Sequence, residues 1–118
     1  MPILLFLSCA GRQTFEHRVY DALTISQVTY KRTLVAAAEA NHNGKISNDD
    51  LDKILEVAKK WQHTHNLALT LTQEYVSLKR VDPEKAAGME HRIVELNQSL
   101  DRILLEFLSL LRRMGVKT

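Results

Sequence analysis

One cysteine in 118 residues, Cys9, leaves no internal disulfide to staple the chain. Two prolines and four glycines are too few for a many-turned β fold or a flexible linker. Aromatic residues make up only 6% of the chain, and its 16 basic and 14 acidic residues are interspersed, so no basic stripe exists for a nucleic-acid backbone. No segment reaches the roughly 18 continuous apolar residues of a membrane-spanning helix. A glycine-rich phosphate loop, a serine elbow and a Cys-His couple are also missing, so nothing points to an enzyme or a small-molecule substrate.

What is present is helical. Leu, Ala, Glu, Lys and Arg recur at helical spacing over a chain that is 45% apolar, long enough for one domain with a modest core. Thr14 caps a first helix reaching about Asn41, whose buried stripe is expected to use Phe15, Val19, Leu23, Gln27, Tyr30, Leu34 and Ala38. A second helix begins at Ser47. Its stripe comprises Leu51, Ile54, Leu55, Ala58, Trp61, His65, Ala68, Leu69, Thr72, Tyr75 and Val76. Asp82 as cap and Pro83 at the first helical position open a third helix, with Glu84 in the first turn where the helix dipole favours an acid. From Met89 its seam steps through Ile93, Leu96, Leu100, Ile103, Phe107 and Leu110 by alternating fours and threes.

Helices of about 30 residues joined by short loops must fold back on one another. The expected fold is all-α: an elongated antiparallel three-helix bundle, up-down-up, spanning residues 13–118 behind an apolar segment at 1–12. Leu104, Leu108 and Leu111 widen the third helix's apolar face beyond its seam, either because this is the best-buried helix of the bundle or because it offers a surface for self-association or a partner. His63 and His65, two apart, fall on different faces and cannot share one ion. His65 lies in the apolar stripe and is expected as a hydrogen-bonded core or boundary residue. Asp49, Asp50 and Asp52 crowd the start of the second helix, where the dipole stabilises them.

The stretch Glu39 to Asp50 reads in two ways. As metal chemistry it is a single EF-hand-like loop for Ca2+. Glu39, Asn41, Asn43, Ser47 and Asp50 would give side-chain oxygens and Lys45 its carbonyl, with Gly44 at the turn. As chain mechanics it is a helix stop and a helix start: Gly44 takes the left-handed position, Ser47 caps with Asp50 three residues on, and Ile46 and Leu51 stand at staple spacing. The ligand count favours the second. Glu39 stands where a shorter Asp is usual and Asp50 where a bidentate Glu is usual, leaving two carboxylates of the wrong length.

At the N-terminus an apolar run ends in Leu7-Ser8-Cys9-Ala10 and gives way at once to Gly11-Arg12-Gln13. This resembles the end of a bacterial lipoprotein signal, in which the cysteine is acylated, although Phe6 and Leu7 depart from the usual residues and no Lys or Arg precedes the run. An upstream start would account for the missing charges. With the Tyr30-Lys-x-x-Leu34 stretch, the Gly44-Lys-Ile-Ser47 junction and Trp61-x-x-x-His65, residues 1–76 resemble small uncharacterised helical lipoproteins of bacteria and their phages. That resemblance implies an envelope address and a membrane contact through lipidated Cys9; without acylation the apolar run packs on the core and the protein is cytoplasmic. In the absence of enzyme motifs, the chain is expected to act by contact with itself or another envelope protein. The alternative is a calcium-binding protein built on the 39–50 loop.

Overall fold

The computed structural model describes residues 14–117, so Cys9 and the rest of the apolar N-terminal segment lie outside the described residues. Three helices follow in order: α1 (Phe15–His42), α2 (Asn48–Lys79) and α3 (Pro83–Arg113). No strand occurs among the described residues. Each helix starts where its cap predicts. Thr14 Oγ1 accepts the His17 N–H at 3.2 Å, Ser47 Oγ the Asp50 N–H at 3.1 Å, and Asp82 Oδ1 the Lys85 N–H at 3.1 Å.

Two of the three helices end in the same way. After α1, Gly44 at φ 75° lets its own N–H reach the Asn41 carbonyl while Lys45 N–H reaches Ala40. After α3, Gly115 at φ 82° does the same toward Arg112, with Val116 reaching Leu111. Both are Schellman turns, and the left-handed φ is why glycine stands at each.

The start of α1 lies against the end of α2: Phe15 meets the Tyr75 ring edge-on at 5.2 Å, and Lys79 Nζ donates to Glu16 Oε2 at 2.7 Å. Tyr75 in turn donates to Glu90 Oε2 near the start of α3 at 2.8 Å. The bundle is therefore up-down-up, with α1 and α3 parallel. Its radius of gyration is 17.5 Å and its longest extent 53 Å, against about 13 Å for the radius of a compact domain of a hundred residues, so the molecule is elongated. The α2–α3 pair packs more extensively than α1 does on either helix.

The core seam differs from expectation on α1. Val19, Leu23, Ser26, Tyr30, Thr33, Ala37 and Ala40 are buried there, a strict alternation of fours and threes, while Gln27 and Ala38 face solvent and Leu34 is half-buried. Small residues let the backbones approach, and a hydroxyl can be silenced locally: Thr33 Oγ1 donates back to the Thr29 carbonyl at 2.8 Å. On α2 the expected stripe is buried at Ile54, Ala58, Trp61, His65, Ala68, Thr72 and Tyr75, with Val57 added and Leu55 left exposed. On α3 the deepest line runs Ala86, Ile93, Leu100, Phe107 at heptad intervals and then steps four, not three, to Leu111. A straight helix drifts about 20° per heptad, which by the last turn brings Leu111 under the seam in place of Leu110.

Candidate functional site

In the loop from Glu39 to Asp50, the first four residues belong to the last turn of α1 and the last three to the first turn of α2. The Glu39 carbonyl accepts the Asn43 N–H at 2.9 Å, and its carboxylate faces solvent. Asn41 is half-buried and straps the turn. Its Nδ2 donates to the Ile46 carbonyl at 3.3 Å and to Asn48 Oδ1 at 3.0 Å. Ile46 is buried and Leu51 packs against the core, the outcome expected of a staple. Asn43 and Lys45 are exposed, and Ser47 is committed to its cap. Hydrogen bonding within the junction thus accounts for Gly44, Ser47 and also Asn41, to which the chain-mechanics reading had given no role. Among the described residues no group of three or more His, Cys, Asp or Glu side chains is placed to hold a metal ion.

Of the three leucines read either as well-buried core or as a partner surface, Leu111 belongs to the core. It is fully buried within the bundle, 0% exposed, under the last turn of α3 and beside Val116 of the Schellman turn. Leu104 and Leu108 are half-buried. The most exposed large apolar side chain of α3 is Leu105, 65% exposed, and its nearest equivalent on α1 is Ile25, 68% exposed. Reading α3 only by its seam passed over Leu105. A search for apolar residues repeated on the outer face of two different helices would have found both.

The histidines divide as their spacing predicts. His63 is exposed and lines a groove with Lys60, Arg102 and Glu106, whereas His65 is buried. His65 stacks on Trp61 at 4.7 Å, Trp61 stacks on Tyr30 at 4.1 Å, and Tyr30 meets Phe107 edge-on at 5.9 Å, so one aromatic column ties the three helices together. Ser26 Oγ, Trp61 Nε1 and His65 Nε2 are buried without hydrogen-bond partners, while the Leu23 carbonyl lies against the His65 ring on its bonded side. His17 with Asp21 and His91 with Glu95 are solvent-exposed i, i+4 pairs of the kind that contribute little.

Burial holds the His65 imidazole below its ordinary pKa, with the Leu23 carbonyl acting weakly the other way. A base depressed in the folded state binds its proton more readily unfolded, so its contribution is fully present above the unfolded pKa of about 6.5 and drains away as pH falls through the folded value. Unfolding by urea should therefore become easier from about pH 6.5 downward. His65→Gln should remove that part of the slope, and an unchanged acid slope in the variant would show that other groups set it.

Comparison with protein-family models, with curated proteins and with solved structures found no match to this chain. Among the described residues no helix is long and apolar enough to cross a membrane.

Proposed function

We propose that this protein is a non-enzymatic helical component of the bacterial cell envelope, lipid-anchored through Cys9 and acting by protein–protein contact. The observation that carries the contact reading is the surface of the bundle. Large apolar side chains stand out from it on α1 and α3 (Ile25, Val28, Val35, Val94 and Leu105), where no fold requirement places them. The anchor rests on the Leu-Ser-Cys-Ala sequence and on geometry: α1 begins at one end of a long rod, a few residues after Cys9, so a tether there would hold the bundle by its tip. One acyl chain binds a bilayer marginally and several bind it stably. Produced in a bacterium with an adequate signal ahead of the run, the chain should partition into detergent and carry the mass of acyl groups, and Cys9→Ser should lose both. Unmodified protein that stays in the aqueous phase would defeat the anchor.

The calcium-binding alternative is tested at the asparagines. If the 39–50 loop is only a junction, Ser47→Ala should cost about 1 kcal/mol through its cap. Asn41→Ala should cost about as much through its two hydrogen bonds, and Asn43→Ala next to nothing. Calcium at a hundred times its dissociation constant would stabilise a binding fold by about 2.7 kcal/mol. A calcium-dependent rise in melting temperature that vanishes in Asn43→Ala would replace the junction reading with a cation site.

A further inference from the structure

Two helices far apart in sequence carry the same triplet at the same spacing: Asp21, Ile25 and Arg32 on α1, and Asp101, Leu105 and Arg112 on α3. In each, an apolar residue follows the acid by four positions, and an arginine follows the apolar residue by seven. Steps of four and seven return to one face of a helix. Each triplet is therefore a stripe, acidic toward the helix N-terminus, apolar in the middle and basic toward the C-terminus.

The fold puts the two stripes side by side. α1 and α3 run parallel, and Arg18 and Ala22 share a groove with Asn97 and Asp101, so Asp21 and Asp101 stand at about the same height along the rod. The same register holds at the far end, where Ala36 and Ala40 share a groove with Gly115 and Val116. All six triplet residues are exposed to solvent. Val28 and half-buried Leu108 broaden the apolar middle. Among the described residues the only ion pair made by the four charged members is the loose 3.4 Å contact of His17 with Asp21. The face thus presents two acids, an apolar band and two arginines in order, with their charges unspent within the monomer.

We infer that the α1–α3 face docks a second copy of this chain about a two-fold axis perpendicular to the helices. That axis sets the two aspartates of each copy against the two arginines of the other and brings Ile25 and Leu105 together with their counterparts at the centre. Parallel stacking would oppose like charges, and a surface that complements itself only after a half-turn is what a two-fold dimer requires. Arg18 before the acids and Glu39 beyond the arginines repeat the reversal of sign at the outer ends. The inference rests on the reading that this protein works by contact and supplies the partner.

The test uses the full chain carrying Cys9→Ser, followed by sedimentation equilibrium from about 10 μM to 1 mM. Reversible dimerisation is expected. Arg32→Asp with Arg112→Asp makes the stripes wholly acidic, and Asp21→Arg with Asp101→Arg makes them wholly basic. Each pair should weaken self-association about tenfold or more, since every dimer exchanges attractive contacts for repulsive ones. Mixing the two variants in equal amounts should restore the dimer. A chain that stays monomeric at 1 mM, an association indifferent to both pairs, or a loss that mixing does not rescue would each overturn the proposal. A spin label at Lys45→Cys reads the geometry without touching the face: labels at opposite ends of the dimer should lie roughly 50 Å apart. A short distance would rule out the perpendicular axis. A monomeric result leaves acylation of Cys9 and contact with a different protein standing, so the two failures can be told apart.

Discussion

Trp61→Ala should destabilise the bundle by about 3–5 kcal/mol, a large share of the 5–15 kcal/mol that holds an ordinary domain together. The side chain is 2% exposed and sits mid-column, stacked on Tyr30 from α1 and on His65 of its own helix. Its removal leaves a cavity and uncouples α1 from the α2–α3 pair where α1 contributes the buried ring of Tyr30 to the core. Trp61→Phe should cost far less than lost area suggests, because the indole Nε1 is already buried without a partner and phenylalanine discards that unsatisfied donor. Chemical denaturation of the two variants checks both numbers. Equal losses would mean that the indole is bonded in solution and that the column is not as described.

The second large effect lies at high pH. Burial above all, then the hydrogen bond to Glu90 and the negative charges of Glu90 and Glu16, push the Tyr75 hydroxyl up to about 12. Its neutral form is what the fold favours. The unfolded tyrosine loses its proton near 10, so the stabilisation is complete below that value and disappears as pH rises from 10 through about 12. The corresponding loss is roughly 2–3 kcal/mol. Lys79, which keeps Glu16 ionised by hydrogen bonding to it, belongs to the same cluster. Tyr75→Phe should be less stable at neutral pH through the lost bond to Glu90 but should show a shallower decline between pH 10 and 12. Tyrosinate absorbance followed beside circular dichroism would expose a failure, namely an identical alkaline slope in the variant.

Helix boundaries were legible in the sequence because caps are local chemistry. Thr14, Ser47 and Asp82 each bind an N–H three residues away, and Gly44 needs only its own backbone. The buried face of α1 was not legible to the same degree, because hydropathy counts a threonine as polar whether or not its hydroxyl is already satisfied. Thr72, 0% exposed, donates to the Ala68 carbonyl at 2.7 Å and behaves in the seam as a small branched apolar residue, as Thr33 does on α1. The misplacement of Leu111 has a different origin: a seam extended by strict alternation ignores the slow rotation of a straight helix against its partner. The 39–50 junction could be read for its caps but not for Asn41, whose two acceptors are brought within reach only once the turn has formed. The stripe of acid, apolar residue and arginine was written plainly in both helices, yet its meaning depends on two segments being parallel and adjacent, which no local pattern conveys.

The unequal packing of the three helices sets the order in which the molecule opens and closes. α2 and α3 are joined through only Arg80, Val81 and Asp82, so closing that hairpin sacrifices little chain entropy and their contacts form early. α1 must then settle onto a surface already made, through a seam rich in Ser26, Thr33 and the alanines that gains less from leaving water than leucines would. Amide protons along α1 should therefore exchange through partial openings that leave the hairpin intact.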